Sequence, residues 1–375
     1  MTFTAEEATT LTLNINPSSS TKYHKLLKST DGVNWTEWEN HDTNGIVLNA
    51  GESVYLKAYE ETNCATASSA AVYKCFSSSG NIKCDGDIRS IVRLITPYDY
   101  RFWFARLFFK CEKLTKGPEL PATSTTPYCY YFMFNGCTSL TQAPELPATY
   151  TSTNCYQQMF KDCTSLTTAP ELPATDVASN CYSAMFQNCT SLTKAPSVLK
   201  AKQLISSCYA NMFSGCTSLK TAPEIQATTV YSSCCQSMFD GCTALTKAPS
   251  VLQAVEMEYS CYTYMFRNCT SLEIGPELRG ETMSDYCYQQ MFYGCTSLKR
   301  IKMNASSGNW GPYMFYGCTS LELVDMTGST GVPHLVNTNN FQSTNSTYKV
   351  VVPDSLYDTW IAATNWASIA THIMK

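Results

Sequence analysis

Cysteine is the residue type in this sequence with the most potential chemistry. The chain holds 20 cysteines, and sixteen of them fall in two columns of a repeated unit. In each full unit the second cysteine follows the first by eight residues, as in Cys129 and Cys137. A zinc site typically has about two to four residues between paired ligands, and the only closely spaced pair here is the adjacent Cys234 and Cys235. The spacing leaves two alternatives, a disulfide in each unit or a buried ladder of free thiols.

The repeats contain no evident residues for general acid–base catalysis. The four histidines all lie outside them: His24, His41, His334 and His372. Glutamate recurs at one repeat position, with serine in two gaps: Glu119, Glu145, Glu171, Glu224 and Glu277, with Ser197 and Ser250. Two carboxylates can cleave a glycosidic bond, but they need unequal pKa values, which a ladder of identical positions does not supply. We predict no catalytic residue, no metal site and no cofactor, and we interpret the glutamate column as a solvated face.

Two sets of positions are candidates for ligand binding. One set combines the glutamate column with the varied position two residues before each repeat proline, and it should line the open face of a sheet: Gln142, Thr168, Lys194, Thr221, Lys247, Glu145, Glu171 and Glu224. The other set is a tyrosine column: Tyr130, Tyr156, Tyr182 and Tyr209. A tyrosine ring can stack on a ligand while its hydroxyl forms a hydrogen bond. The alternative is that these rings shield the turn of each unit.

A repeat of 26 or 27 residues positions these side chains, and its clearest copy runs from Cys129 to Thr149. Phenylalanine, leucine and cysteine recur once per unit, at Phe134, Leu140 and Cys137 in that copy. Such columns stack into ladders, and a single unit could not bury its apolar face alone. The sequence therefore predicts an α/β solenoid whose successive units cover one another.

Local signals predict the course of the chain within each unit. The residue before the second cysteine is Gly, Asn or Asp in the eight regular units, as at Gly136, which predicts a left-handed backbone there. We expect the CYxxMF segment to form a short helical turn. The following CTSLTxAPEL segment should form one short parallel strand, limited to two to four residues by its proline.

The unit MFxxCTSLTxAPELPAT resembles the BspA-like class of leucine-rich repeat, whose units read roughly AFxxCxxLxxIxIP, over about residues 104–326. The middle units depart from that pattern by a three- or four-residue expansion around APELPAT. The resemblance implies a right-handed coil with a parallel sheet along one side. It also implies surface proteins of gut bacteria, and similar virion proteins of their phages, that bind host, matrix or cell-surface ligands. In such repeats the first cysteine position holds an inward aliphatic residue, which favours free thiols acting as small hydrophobic side chains.

The segments flanking the repeats have different patterns. Residues 1–76 read as a small β domain of immunoglobulin-like or sandwich type, and 77–103 as a junction or N-terminal cap. The segment 29–35 resembles the Asp-box hairpin of sialidases, and we interpret it as a tight turn. Residues 327–375 read as a loop, a strand at 348–352 and a C-terminal capping helix that begins near Pro353.

Charge and hydropathy restrict the classes of partner that the protein could bind. The formal net charge is -4 without a long basic run, which argues against nucleic acid. No apolar run reaches the roughly 18 residues of a membrane span, and no signal peptide is visible. We expect a binding or adhesion protein on a phage particle or bacterial cell surface, with a cell-surface protein or glycan as ligand and other virion or surface proteins contacting the N-terminal domain. The alternatives are a purely structural spacer and, more remotely, a glycan-active enzyme.

Overall fold

A computed structural model describes residues 1–15, 26–38, 44–59, 67–69, 72–91 and 102–375. Cys64, His24 and His41 lie outside these described residues, as does the part of the predicted junction from 92 to 101. The described chain begins with a β unit, continues as a stack of similar coils, called rungs below, and ends in a C-terminal cap.

Within the described residues, nine strands precede the rungs. They are β1 (Thr2–Ala5), β2 (Thr9–Ile15), β3 (Leu26–Ser29), β4 (Thr36–Trp38), β5 (Ile46–Leu48), β6 (Ser53–Ala58), β7 (Ala67–Ser69), β8 (Val72–Ser78) and β9 (Ile82–Asp85). The strand order is β9-β1-β6-β3-β4 in one antiparallel sheet and β5-β2-β8-β7 in the other. Phe3 of β1 and Phe76 of β8 have ring centroids 4.9 Å apart. The two sheets therefore pack face to face as a small sandwich.

The sandwich and the first rung share one core. Strand β8 runs past the expected boundary at residue 76, and β9 pairs in parallel with β10 (Leu114–Lys116) of the first rung. The backbone N–H of Phe76 donates to Leu107 O at 2.7 Å, and the Phe76 ring lies 5.7 Å from that of Phe108. The β unit thus covers the N-terminal end of the stack. A 3-10 helix, Ile88–Ile91, follows β9.

The Asp-box-like hairpin is a tight turn, as expected. One Asp31 carboxylate oxygen accepts the backbone N–H of Val33 at 2.8 Å and of Asn34 at 2.7 Å. These bonds hold the pKa of Asp31 well below its ordinary value. Trp38, rather than Trp35, is the buried ring of this hairpin. The Asp31 carboxylate therefore stabilises the turn.

Each rung begins with a ribbon of successive β-turns, which we call the turn ribbon. Within a rung the hydrogen bonds join residues three apart, as from Met133 N to Tyr130 O at 3.1 Å. The intervening N–H groups donate to the next rung, as from Phe134 to Met159 O at 2.9 Å. Backbone amides thus alternate along the ribbon: one donates within its own rung, and the next donates to the following rung. The ribbon is therefore stable only when rungs are stacked.

The expected short helical turn is therefore wrong. A helix would join residues four apart, whereas the ribbon has a positive φ at every fourth residue, as at Tyr128, Phe132 and Gly136. The left-handed conformation predicted before the second cysteine is confirmed: Gly136, Asp162, Asn188, Gly215, Gly241, Asn268, Gly294 and Gly317 all have positive φ. The third position of a type II turn has this conformation.

The predicted ladders are confirmed. The phenylalanine rings of neighbouring rungs stack, with Phe134 and Phe160 5.4 Å apart and 2° from parallel. Leu140 and Cys137 are fully buried in the same core. The phenylalanine ladder continues past the predicted end at residue 326, because Phe315 stacks on Phe341 at 5.4 Å. The stretch expected to be a loop thus supplies another partial rung.

Short parallel strands follow the turn ribbon. After β10 they are β11 (Val198–Leu199), β12 (Gln203–Leu204), β13 (Glu224–Ile225), β14 (Thr229–Val230), β15 (Val251–Leu252), β16 (Glu256–Met257), β17 (Glu277–Leu278), β18 (Thr282–Met283), β19 (Arg300–Lys302), β20 (Leu323–Asp325), β21 (Lys349–Val351) and β22 (Ile373–Met374). β11 pairs with β13, β15 with β17, and β12-β14-β16-β18 and β19-β20-β21-β22 form two further sheets. From 198 to 283 each rung therefore has two strands, not the single strand expected, because the expanded segment, which takes the place of APELPAT in these rungs, makes a second corner.

The C-terminal segment closes the other end of the stack. It contains α1 (Tyr357–Ala362) and 3-10 helices at Thr338–Phe341, Asp354–Leu356 and Ala367–His372. Trp310, Trp360 and Trp366 are fully buried together, and Trp366 Nε1 donates to Pro333 O at 2.8 Å. Strand β22 then pairs with β21, so a strand also follows the one expected at 348–352. These aromatic side chains cover the apolar end of the last rung.

Candidate binding face

The varied column forms a row of exposed side chains on the surface. All five predicted residues are exposed: Gln142, Thr168, Lys194, Thr221 and Lys247. Parallel bridges join Thr168 to Lys194 and Thr221 to Lys247 on successive rungs, and Lys116 bridges to Gln142 at the N-terminal end. We call these positions, from Lys116 through Lys247, the exposed row. Its backbone is fixed by inter-rung pairing at these three pairs of positions, while its side chains differ from rung to rung.

The glutamate column runs beside the exposed row, and serine has a specific role in it. Ser250 N and Oγ donate to Glu224 Oε2 at 3.0 and 2.7 Å, from one rung to the preceding one. Ser197 makes longer contacts of 3.4 and 3.5 Å with Glu171. A glutamate at the serine position would be repelled by the carboxylate of the preceding rung. The serine instead supplies donors that form hydrogen bonds with that carboxylate. Glu145, Glu171 and Glu224 lie on the surface as predicted, but Glu224 is half-buried by this contact.

The tyrosine column lies in the core, which corrects its assignment to the binding surface. Tyr130, Tyr156, Tyr182 and Tyr209 are each at most 3% exposed. Their rings stack from rung to rung, with Tyr130 and Tyr156 5.5 Å apart, and burial raises the pKa of Tyr130 well above its ordinary value. The alternative, that the rings shield the turn of each rung, agrees with this geometry. Small residues make room for them: a Cβ added at Gly280 would lie 2.6 Å from the Tyr288 hydroxyl.

A groove crosses the first three rungs next to the exposed row. Two connected cavities of about 620 and 510 Å³ share Gln142, Glu145 and Pro147 among their lining residues. Prolines from all three rungs line it in pairs: Pro118 and Pro121, Pro144 and Pro147, and Pro170 and Pro173. We call this the proline groove. Sequence analysis used only the first proline of each pair, and the second was the signal that could have revealed the groove.

The second strand of each rung presents another surface that sequence reasoning missed. Tyr150 and Tyr259 are 55% and 53% exposed on it, and Tyr150 bridges to Ser124 and Asp176 on the neighbouring rungs. A cavity of about 450 Å³ lies farther along, lined by Glu256 and other residues. Expansion of the repeat turns this segment away from the exposed row, so the two surfaces are separate.

The thiols of the second cysteine column are hydrogen-bond donors. Cys137 Sγ donates to Phe108 O at 3.0 Å, and Cys189 Sγ to Phe160 O at 3.0 Å, each on the preceding rung. In the described chain the cysteines are free, and all of them except Cys75 are buried. Burial raises the pKa of the Cys129 thiol to about 12. Such thiols are neutral at physiological pH and therefore poor nucleophiles.

No group of three or more His, Cys, Asp or Glu side chains is arranged for a metal ion in the described ranges. Of the two histidines there, His372 stacks on Tyr348 with centroids 4.1 Å apart. No described helix has the length and apolar character to cross a membrane.

The BspA type leucine rich repeat region family matches the chain in six copies, over residues 104–246 and 252–359. These ranges make up more than half of the chain. The chain belongs to the BspA-type leucine-rich repeat family. The match extends beyond residue 326, in agreement with the additional partial rung around Phe341.

Two solved structures are similar to this BspA-type chain. A leucine-rich repeat protein from Bacteroides ovatus is 17% identical, with 79% of this chain and 95% of that chain covered and a TM-score of 0.23. A leucine rich cell surface protein from Faecalibacterium prausnitzii is 14% identical, with 76% and 92% covered and a TM-score of 0.31. These low TM-scores add nothing to the family match. Comparison with curated proteins finds no match.

Proposed function

We propose that this protein is a non-enzymatic binding protein that presents its exposed row to a cell-surface protein or glycan. The observation that carries the proposal is the contrast between buried and exposed positions within each rung. Buried positions repeat almost unchanged, whereas the exposed row changes from Lys116 to Gln142 and from Thr168 to Lys194 across parallel bridges. A rigid surface with varied side chains loses little conformational entropy when a ligand binds. We place the protein on a phage particle or a bacterial cell surface.

The experiment measures binding of the labelled protein to candidate host cells and to a glycan array. The triple variant Gln142→Ala, Lys194→Ala, Lys247→Ala should bind at least tenfold more weakly than the unmodified protein. A matched control, Lys202→Ala, Gln203→Ala, Lys349→Ala, changes the same residue types away from the exposed row and should bind normally. Unchanged binding by the first variant would overturn the proposal.

A structural spacer is the second candidate, and the continuous core between the β unit and the rungs favours it. The ring of Phe76 packs on that of Phe108, so removing residues 1–76 would expose the first rung. A surface variant tests docking without that damage. Val33 and Val47 are 77% and 72% exposed in the β unit. If Val33→Asp, Val47→Asp lowers incorporation into purified particles while host-cell binding is absent from the unmodified protein, the protein is a spacer.

A further inference from the structure

We propose that the proline groove binds an extended, lysine- or arginine-rich segment of a partner protein. The inference rests on the proposed function, because it names the ligand class for part of the same face. It draws on three features of the groove, namely its unpaired backbone, its charge and the chemistry of its lining residues.

The second proline of each pair prevents the ladder that forms in later rungs. There, Gln226 N donates to Leu199 O at 3.2 Å, and Arg279 N donates to Leu252 O at 3.3 Å. Pro147 and Pro173 occupy the equivalent donor positions and have no N–H. In this described part of the chain, no backbone hydrogen bond joins residues 143–147 to residues 117–121 or 169–173.

Backbone groups of the groove residues are consequently left without a backbone partner on the neighbouring rung. The carbonyl groups of Leu120 and Leu146 correspond to the acceptors Leu199 and Leu252, and both leucines line the cavities. The N–H of Glu171 corresponds to that of Glu224, which donates to Ser197 O at 3.1 Å in the ladder. An extended peptide supplies alternating donors and acceptors that match such groups.

Charge favours a cationic ligand. Glu119, Glu145 and Glu171 line the groove on three successive rungs, all exposed. Of these carboxylates only Glu171 has a serine on the following rung, whereas farther along the stack Ser250 follows Glu224. Lys116, the lysine among the lining residues, is engaged in an ion pair with Asp85. Successive carboxylates at a rung spacing of about 4.8 Å repel one another, and a bound cation would relieve that repulsion.

The lining favours a polypeptide over a sugar. No aromatic side chain lines either cavity of the groove, so a pyranose ring would have no stacking platform. The partly exposed proline rings instead offer apolar contact to the methylene stems of lysine or arginine, whose charged ends reach the carboxylates. Three rungs span about 10 Å between the outer strands, which is room for three to four extended residues, or about two basic side chains on one face of a strand.

The first experiment measures fluorescence anisotropy with the full chain and a labelled Thr-Lys-Thr-Lys-Thr peptide. The double variant Glu119→Gln, Glu145→Gln should bind at least tenfold more weakly, and the affinity of the unmodified protein should fall as salt is raised. The control Glu281→Gln, Glu322→Gln neutralises two exposed glutamates outside the groove and should bind normally. Equal binding by both double variants, or no binding by the unmodified protein, overturns the inference.

A second variant tests the unpaired backbone without changing charge. Pro147→Gln, Pro173→Gln restores two N–H groups at the positions that Gln226 and Arg279 occupy in the paired rungs. The ladder should close, so peptide affinity should fall tenfold or more while the chain remains folded and at least equally resistant to urea. If the peptide binds this folded variant as tightly as the unmodified protein, the groove backbone is not the binding element.

The outcomes separate this inference from the proposed function. Loss of cell binding in the Gln142, Lys194, Lys247 variant, together with no peptide binding, overturns the inference and leaves the proposed function standing. Oligosaccharide binding that is lost in Glu119→Gln, Glu145→Gln would also overturn it, in favour of a glycan. Peptide binding that depends on Glu145 and Pro147, without any cell or glycan binding, would retain the groove and overturn the wider function.

Discussion

At the scale of single residues, the second cysteine column joins one rung to the preceding one. Phe160 O accepts Cys163 N at 3.1 Å from its own rung and Cys189 Sγ at 3.0 Å from the next. A carbonyl oxygen has two lone pairs, so the two donors use both of them. Cysteine fits because it is a small apolar side chain that still carries a weak donor.

Replacing Cys189 with alanine should lower the free energy of unfolding by about 1–3 kcal/mol, because it removes a donor and leaves a small void. Urea unfolding followed by circular dichroism measures the change. Thr190→Ala, at the exposed neighbouring position, should stay within about 0.5 kcal/mol of the unmodified protein. A Cys189→Ala variant as stable as this control would contradict the role assigned to the thiol.

Buried thiols also set the response to pH. The unfolded thiol has an ordinary pKa near 9.0, whereas the pKa of Cys129, Cys181 and Cys295 is raised to about 12 in the folded protein. The unfolded chain therefore releases protons first as pH rises, and each such thiol costs about 1.4 kcal/mol of stability per pH unit above 9. We expect the urea midpoint to be flat from pH 6 to 8 and to fall steeply above pH 9. A midpoint unchanged up to pH 11 would show that the thiols are oxidised or exposed.

The same burial predicts the result of alkylation. At pH 8 a thiol with a pKa of about 12 is ionised in roughly one molecule in ten thousand. Iodoacetamide should therefore leave Cys129 and Cys137 unmodified in the native protein and modify them after denaturation in guanidinium without reductant. Mass spectrometry of the digested protein provides the measurement. A Cys129–Cys137 disulfide, which would protect both residues even after denaturation, would refute the free-thiol ladder.

The tyrosine column shows that a regular repeat does not by itself determine whether a residue is buried or exposed. The period identified Phe134, Leu140 and Cys137 as core because large apolar side chains and small thiols have only that use in a stack. The period was equally clear for Tyr130, but an amphipathic ring suits both a surface and a core with a polar edge. In the structure, the backbone of the turn ribbon directs the Tyr130 ring into the core.

At the scale of the element, the turn ribbon depends on left-handed residues. Gly241 has a φ of +74°, and a Cβ added there would be no closer than 3.9 Å to its nearest neighbour, Gly215. Gly241→Ala should therefore cost about 1–2 kcal/mol from backbone conformation alone. Gly241→Asn should cost less, because asparagine tolerates this conformation, as Asn188 and Asn268 show at the equivalent positions. Urea unfolding of the two variants tests this order, and the reverse order would be contrary to it.

Sequence reasoning found one of the three left-handed positions of each ribbon. That position holds only Gly, Asn or Asp, so residue type marks it. The equivalent earlier positions hold Tyr128 and Phe132 in one rung and Gln158 in the next, all with positive φ. Inter-rung hydrogen bonds impose the conformation on these residues, and a single unit gives no local sign of such bonds.

At the scale of the whole molecule, the two ends are closed by different means. The N-terminal end is covered by a sandwich and the C-terminal end by three buried tryptophans around Trp366. Trp366→Ala should lower the free energy of unfolding by about 3–5 kcal/mol and uncover the last rung, so that molecules associate end to end. Light scattering and urea unfolding measure both effects. Trp35→Ala, at a half-buried ring of the N-terminal hairpin, should leave the protein monodisperse, and an equally soluble Trp366→Ala would show that the cap is dispensable.

The alternation of hydrogen bonds along the ribbon has a consequence for synthesis on the ribosome. Phe134 N is satisfied only by Met159 O, and Phe160 N only by Met185 O. A newly emerged coil therefore keeps half of its amides hydrated until roughly one further repeat has left the exit tunnel. We expect the nascent chain to gain order in steps of that length, starting from the sandwich, with its most recent coil always the least protected from proteases.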